Sequence, residues 1–415
     1  MITQRSERLQ KFDVAAGAPE PTATAQQPAV DTGVQTRILR TEAEIDTVRE
    51  QWAAWQNHPH VDLDFFRTIV RVRSEVISPY VIALYRNDAL ETLLVGRLET
   101  GRMALTVGYW DLARIPVRTL SFVYRGLLGN DSADNCAALL RTVNSALKRE
   151  GAHFASMHFV KVGSPLHRAS SQASHPLLHG YFAETRPHWV MRLPGDIEEL
   201  YRSMSSKTRQ TRRYQVKRLQ KRFPTMRFEC YTKETDLDRV FTDAETVACR
   251  TYQRGLGVGF IANQENRERF MVEASRNRFR AFFLYIGDKP IAFFLGTLSG
   301  NVLYDNFTSY DPEFGNYSPG TVLFLLIFER LCRDGVEALD FGFGDAPYKA
   351  QFGNERSEET TLSMFAPTLS GMGLNLLRTP AAMLDLIGKW IVDRLAVLGS
   401  VKKRWRQWAQ RRTTA

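Results

Sequence analysis

Apolar and polar positions alternate along the chain in a way that predicts short strands separated by longer helices, beginning at Val34. The segment 42–56 has apolar residues at spacings of three and four, which is the periodicity of an amphipathic helix. The segment 80–99 has the pattern of two strands around Asn87-Asp88, a pair typical of hairpin turns. Three further elements are predicted next: a strand at 119–126, a helix at 135–151 and a strand at 152–160.

The second half of the chain repeats this order. A predicted hairpin turns at Gly287-Asp288, and the strand 301–310, the helix 319–335 and the strand 336–344 follow it. The long helices of both halves end in an acidic residue and a glycine, and glycine is typical of helix C-termini. A duplicated α/β unit accounts for the repeat, with coincidence as the alternative because every α/β protein alternates in this way.

The pattern divides the chain into a leader (1–33), two halves (34–194 and 195–368) and a tail (369–415). The leader is rich in Ala, Pro, Gln and Thr and lacks the apolar segment of a secretory signal, so we expect it to be disordered. In the tail, apolar residues recur at helical spacing and the end is basic, which predicts a basic amphipathic helix. Such a helix docks on its own domain or lies on an anionic membrane, and docking is the favoured interpretation.

Charge and composition narrow the class of protein. The formal net charge of +10 predicts attraction to an anion such as a phosphorylated cofactor, an anionic lipid or a nucleic acid. The four cysteines form no CxxC pair and the histidines have no ligand spacing, so neither a disulfide framework nor a metal site is expected. We therefore expect a cytoplasmic protein, held at the inner face of the membrane only if the tail binds lipid.

A candidate anion site opens the apolar helix of the second half. Ser318, Pro319, Gly320 and Thr321 follow a predicted strand and begin the helix. The free N–H groups and the positive end of the helix dipole attract an anion there, and glycine lets a phosphate approach the backbone. Simple helix capping is the alternative.

A second candidate is the segment 341–353, FGFGDAPYKAQFG, which follows the last predicted strand. Asp345 is a suitable N-cap and Pro347 suits the first turn of a short helix, which would bring Tyr348 and Lys349 to the strand end. Ligands of open α/β sheets gather at such ends, where Tyr can donate a proton and Asp can accept one. Capping, packing and solvation are the alternative roles of these side chains.

The segment 201–222 has nine cationic residues and no acidic residue. A helix this basic could bind nucleic acid, but it has few aromatic residues for base stacking. A solvated helix beside an anionic substrate is the favoured interpretation, so nucleic acid is not expected as a partner.

Four stretches together resemble the BioF2-like, CelD-type acetyltransferases of the GNAT superfamily. They are the basic helix that opens at Ser206-Lys207, the hairpin Gly-Asp-Lys-Pro-Ile-Ala (287–292), Tyr-Ser-Pro-Gly-Thr (317–321) and Asp-Phe-Gly-Phe-Gly-Asp-Ala-Pro-Tyr-Lys (340–349). The resemblance is good over residues 195–355 and looser over 34–194, which is similar to a degenerate first half.

The resemblance implies a tandem GNAT-like α/β fold, with mixed sheets flanked by helices and an added C-terminal amphipathic helix. It implies transfer of an acyl group, such as acetyl, from acyl-CoA to an unknown amine or hydroxyl acceptor, without a metal, in polysaccharide or cell-envelope biosynthesis. The strands 301–310 and 336–344 would splay to admit the pantetheine arm, and 318–321 would hold the pyrophosphate, although Gly320 alone remains of the usual Gln/Arg-x-x-Gly-x-Gly/Ala loop.

For such a transfer we hypothesise the roles of the reacting groups, and the resemblance itself implies the role of Tyr348. Backbone N–H groups of Asn306, Phe307 and Thr308 would meet the oxyanion. Asp345 or Asp305 would be the base, and Tyr348 would protonate the thiolate, with Lys349 beside it in the site.

Two other functions remain open. Fem-type aminoacyl transferases, which use aminoacyl-tRNA, share a doubled GNAT-like fold and a similar basic helix. The other alternative is that the protein is a non-catalytic scaffold in polysaccharide assembly.

Overall fold

Twelve strands form one mixed sheet in the computed structural model, which describes residues 33–107, 110–173, 180, 185–251, 254 and 259–379. The strands are β1 (Val34–Leu39), β2 (Val76–Arg86), β3 (Ala89–Val107), β4 (Trp110–Gly129), β5 (Phe154–Lys161), β6 (Thr185–Arg192), β7 (Met226–Tyr231), β8 (Phe279–Ile286), β9 (Lys289–Ser299), β10 (Val302–Tyr310), β11 (Ala338–Phe343) and β12 (Glu355–Phe365). Their order across the sheet is β1-β2-β3-β4-β5-β12-β6-β11-β10-β9-β8-β7.

Taken from the β7 end, the strands follow the same order as from the β1 end: β7 takes the place of β1, β8 that of β2, and so on, while β6 and β12 exchange places. The last strand of each half is exchanged, since β12 lies beside β5 and β6 lies beside β11. The strands β12 and β6 pair antiparallel at the centre of the sheet. The arrangement is that of two copies of one α/β unit related by an approximate twofold axis, which confirms the predicted tandem fold.

Helices cover both faces of the sheet. They are Glu42–Asp46, Arg49–Trp55, Leu63–Val72, Ala133–Arg149, Pro165–Ala173, Ile197–Ser203, Ser206–Arg222, Leu237–Ala248, Gln264–Ser275, Pro319–Arg333 and Pro347–Phe352, and residues 369–379 are also helical. Along β2 and β8 successive apolar residues enter different hydrophobic clusters, because side chains alternate between the faces of a strand. The face covered by the helices Ala133–Arg149 and Pro319–Arg333 is called the inner face below, and the other is called the outer face.

Local sequence explains where the elements turn and stop. Asn87 and Asp88 both have positive φ, 49° and 63°, as the predicted two-residue hairpin turn requires. Gly151 and Gly335, with φ of 60° and 72°, follow the two long helices and end them in the left-handed conformation.

One predicted helix is interrupted, and the basic region, expected to form one long helix or two, forms two. The single helix expected at 42–56 is interrupted at Val48, whose φ of −116° and ψ of 11° are not helical. The basic region contains two helices, and the second begins at Ser206, where the Ser205 hydroxyl accepts a hydrogen bond from the Thr208 N–H.

The chain termini fall largely outside the described residues, and with them the predicted leader and the tail after 379. In the part of the chain that the structure describes, no helix is long and apolar enough to cross a membrane.

Candidate active site

The strands β10 and β11 separate within the second half. They pair in parallel only over Val302–Tyr304 and Ala338–Asp340, although β10 continues to Tyr310 and β11 continues to Phe343. Each strand also has a bulge where the pairing stops, between Asp305 and Phe307 in β10 and between Asp340 and Gly342 in β11. Because bulges bend a strand, these two open the predicted gap.

Asp305 and Tyr348 meet beside this gap. The Tyr348 hydroxyl donates a hydrogen bond to Asp305 Oδ2 over 3.0 Å. The Tyr348 ring packs against Phe324 and Phe341, with centroid distances of 5.3 and 5.8 Å, so its position is fixed from the inner face. Burial raises the pKa of Asp305 to about 6, against the opposing effects of the Lys349 charge and the Tyr348 hydrogen bond. A carboxylate with this pKa can accept a proton near neutral pH.

Lys349 ties the turn that follows β11. Its Nζ donates to the Phe343 carbonyl over 2.8 Å and lies 3.5 Å from the Gly342 carbonyl. Burial lowers the pKa of Lys349. The turn requires glycine at 342 and 344, where φ is 68° and 114°.

Asp345 does not cap the helix that follows it, contrary to the prediction. The N-cap of Pro347–Phe352 is Ala346, whose methyl side chain cannot accept a hydrogen bond. Asp345 lies one residue earlier and is exposed. The proline fixes the start of the helix at 347, so the acidic residue falls outside the capping position.

The start of the helix Pro319–Arg333 is left without a side-chain cap. Ser318 is its N-cap residue, with φ of 53° and ψ of 50°, but its hydroxyl makes no bond to the first turn. Instead this hydroxyl accepts a hydrogen bond from Gln215 Nε2 over 3.3 Å. A Cβ at Gly320 would lie 3.3 Å from the Tyr310 ring, so glycine also permits close packing here.

The basic helix Ser206–Arg222 reaches the same place. Arg218 donates to the carbonyl of Asn316 over 3.2 Å, and its guanidinium lies 5.1 Å from the centre of the Tyr317 ring. A guanidinium beside an uncapped helix start adds to the positive potential of the helix dipole. The predicted anion site and the predicted basic helix are therefore adjacent.

The side chains of the three strand residues predicted to flank the thioester have structural partners. Asn306 donates to the Thr297 hydroxyl over 2.9 Å, and the Thr308 hydroxyl donates to the Phe293 carbonyl over 3.2 Å. Phe307 packs in the hydrophobic cluster of the outer face. These residues would therefore contact a ligand through their backbone groups and not through their side chains.

A polar network that sequence reasoning missed lies on the outer face at the centre of the sheet. His188 donates from Nε2 to Asp340 over 2.8 Å, and its Nδ1 lies 3.1 Å from Glu359 Oε2. The Tyr124 hydroxyl donates to Glu359 Oε1 over 3.1 Å and lies the same distance from His188 Nδ1. Although burial opposes it, hydrogen bonding to the two carboxylates raises the pKa of His188 to about 9, so the ring is cationic at neutral pH.

The comparisons with known proteins agree with this geometry. The model of an acetyltransferase (GNAT) domain matches residues 206–350. No curated protein sequence matches the chain. Among solved structures, FemX is similar with a TM-score of 0.52 and 13% identity, over 79% of this chain and 97% of FemX.

Two further solved structures have lower scores. A tandem GNAT protein from the clavulanic acid biosynthesis pathway has a TM-score of 0.47 and 11% identity, over 80% of this chain and 99% of its own. L-PGS from Bacillus licheniformis has a TM-score of 0.44 and 11% identity, over 80% and 96%. The likeness to FemX shows a shared fold, and residues 206–350 have the sequence signature of a GNAT acetyltransferase domain.

Proposed function

We propose that this protein is an acyltransferase of the BioF2-like, CelD-type kind, which moves an acyl group from acyl-CoA to an amine or hydroxyl acceptor. The observation that carries the proposal is the gap between β10 and β11, with the Asp305–Tyr348 pair beside it. An extended thioester can enter such a gap, and the paired groups can move a proton at its edge.

Two regions of the protein would hold the cofactor, one at its pyrophosphate and the other along its pantetheine arm. The pyrophosphate of acyl-CoA would lie at the uncapped helix start of Ser318–Thr321, with Arg218 nearby. The pantetheine arm would follow the unpaired edge of β10, where backbone N–H groups near Asn306 would stabilise the oxyanion. Acyl-CoA supplies the activated thioester.

The proton would travel through the Asp305–Tyr348 pair. The acceptor attacks the thioester carbonyl and forms the new C–N or C–O bond, while its proton passes to the Asp305 carboxylate. Tyr348 donates its hydroxyl proton to the departing thiolate as the C–S bond breaks, and Asp305 returns a proton to Tyr348 through their hydrogen bond. In this route Lys349 holds the turn and its charge opposes the rise in the pKa of Asp305, while exposed Asp345 takes no part.

The experiment is a ligand screen by thermal shift and native mass spectrometry, with acyl-CoAs of several chain lengths. We expect at least one of them to raise the melting temperature and to form a complex of one-to-one mass. The Thr321→Glu variant should lose this shift, because an acid in the first turn suits the helix dipole but repels a pyrophosphate. A lack of any shift with every acyl-CoA would contradict the proposal.

A Fem-type aminoacyl transferase is the second candidate, favoured by the FemX-like fold and by the basic helix Ser206–Arg222. It predicts binding of charged tRNA with a steep salt dependence. This binding should weaken when Arg209, Arg212 and Arg213 are neutralised together. A non-catalytic scaffold would bind neither ligand, and its cellular role would survive Tyr348→Phe.

A further inference from the structure

A cavity of about 350 Å³ lies on the outer face where the two halves meet. Residues of β3, β4 and β5 form its floor, and the helices Leu63–Val72 and Gln264–Ser275 form its sides. Ion pairs between Asp62 and two arginines of the second half, Arg276 and Arg278, join the two sides over 2.8 and 2.9 Å. The volume is within the range of small-molecule sites.

The cavity has one cationic group without a charged partner. Of its three arginines, Arg73 pairs with Glu265 over 2.7 Å and Arg97 pairs with Glu99 over 2.6 Å. Among the described residues, no carboxylate forms an ion pair with Arg269. Its Nη1 donates to Asn266 over 3.3 Å, and its buried Nε has no hydrogen-bond acceptor. The guanidinium is half-buried and lies over the Phe65 ring, 5.3 Å from its centroid, and an anion beside it would offset the cost of its desolvation.

Apart from the ion-paired side chains, which include Glu99 of the lining, the other polar groups of the cavity are neutral and can form hydrogen bonds. Burial lowers the pKa of His60 to about 3, and the charge of Arg269 adds to this effect. Burial also lowers the pKa of His158. The buried Nδ1 of His60 has no partner, and Ser121 and Tyr124 also line the cavity. The cavity therefore combines one free positive charge with donors and acceptors suited to hydroxyl groups.

Side-chain contacts connect the lining of the cavity to β11, across β12 and β6. Its lining residue Phe159 packs against Phe343, with ring centroids 4.2 Å apart, and Phe343 is the residue whose carbonyl binds Lys349. Its lining residue Tyr124 also lies within hydrogen-bond distance of His188, which binds Asp340 of β11. These contacts link the cavity to the strand end where the acyl group is proposed to arrive.

We propose that this cavity binds the acyl acceptor through an anionic group, a carboxylate or a phosphate, on Arg269. This assignment rests on the proposed acyltransferase function, because it names the acceptor class of that site. The acceptor is then a small polyhydroxyl molecule that carries both the nucleophile and a negative charge.

The test measures binding of four sugars to the full chain by ligand-observed NMR: glucosamine 6-phosphate, glucosamine, glucuronate and glucose. We expect the phosphate, the carboxylate or both to bind, and the member of each pair that lacks the anionic group to bind much more weakly. The two anionic sugars distinguish the phosphate from the carboxylate. Arg269→Gln should weaken the binding about tenfold or more, since it removes a charge-assisted hydrogen bond.

Arg141→Gln is the matched control, because it removes an exposed arginine of the helix Ala133–Arg149 and should change nothing. Arg269→Lys should restore part of the affinity if charge is what matters. Two results would overturn the assignment: no binding of either anionic sugar, or equal binding by the wild type and Arg269→Gln.

Acetyl-CoA binding separates this assignment from the proposed function. It should be unchanged in Arg269→Gln, since Arg269 lies in the other ligand's site. If no acyl-CoA of the screened series binds but anion binding depends on Arg269, the acyltransferase proposal fails while the cavity remains an anion site. If acetyl-CoA binds and no anion does, only the acceptor assignment fails.

Discussion

The two halves share a backbone plan but differ in the side chains at equivalent positions. Gly96 and Gly296 lie in the second strand of their hairpins, at the same distance from the hairpin turn. On the next strand of the sheet, Gly96 pairs with Phe122 and Gly296 pairs with Asp305. Phe122 of the first half therefore corresponds to Asp305 of the second. The helices after β5 and β11 both begin with proline, and the next residues are Leu166 and Tyr348.

At these positions the first half has a hydrophobic core and the second half has the proposed catalytic pair. Phe122 and Leu166 are buried together in one apolar cluster of the first half, where the second half has the hydrogen-bonded Asp305 and Tyr348. The N-termini of the two long helices also differ, because only the one in the first half is capped by a side chain. Ser132 accepts a hydrogen bond from the Asn135 N–H in the first half, whereas Ser318 leaves its helix start without a cap. The fold alone therefore does not make a site, because both halves have it.

Asp305→Asn should have the largest effect on acyl transfer. Asparagine keeps the shape and can still accept a hydrogen bond from Tyr348, but it cannot take a proton from the acceptor. We expect the rate of thiol release from acetyl-CoA in the presence of an amine acceptor to fall about 10²- to 10⁴-fold. An unchanged rate in the folded variant would remove Asp305 from the mechanism.

The same residue should set the pH dependence. Because the active form is the ionised carboxylate, kcat/KM should rise with pH through about 6 and then level off. The raised pKa stabilises the fold below the unfolded-state pKa of about 3.9, and this contribution is lost as the pH rises through about 6. Asp305→Asn should therefore gain stability relative to the wild type above pH 6, as measured by urea unfolding at several pH values.

Phe122→Ala should lower the stability of the fold without changing the affinity for acetyl-CoA. Truncation of this fully buried ring should lower the free energy of unfolding by about 3 to 5 kcal/mol. Acetyl-CoA affinity, measured below the melting temperature of the variant, should be unchanged. A variant that unfolds normally but no longer binds acetyl-CoA would mean that the first half also takes part in the cofactor site.

Tyr348→Phe should have a smaller effect than Asp305→Asn. A thiolate, with a thiol pKa of about 8.5, leaves with less help from an acid than an alkoxide does, so we expect a loss of about tenfold. The variant also removes a hydrogen bond that lowers the pKa of Asp305, so the acid limb of the rate profile should move to higher pH. A purely packing role would reduce stability without moving that limb.

Ser132→Ala should have the smallest effect. Loss of this N-cap should cost about 1 kcal/mol of stability in urea unfolding. Acetyl-CoA binding should not change, because the proposed cofactor site lies in the other half. A change in affinity would contradict the assignment of the anion site to Ser318–Thr321.

Periodicity and turn chemistry were sufficient to predict the two α/β units, because hairpin turns and helix ends depend on nearby residues. Tyr348 and Lys349 could be placed at the strand end for the same reason. The exchange of β6 and β12 could not be predicted, since nothing local determines which strand a central strand pairs with. The same limit applies to His188, whose partners Asp340 and Glu359 come from strands far away in sequence.

Calorimetric titration of acetyl-CoA tests the difference between the halves most directly. We predict one molecule bound per chain in the wild type and in Ala133→Glu, which places an acid in the first turn of the capped helix. Thr321→Glu, which places an acid in the first turn of the uncapped helix, should abolish binding. Two molecules per chain, or undiminished binding by Thr321→Glu, would contradict the account.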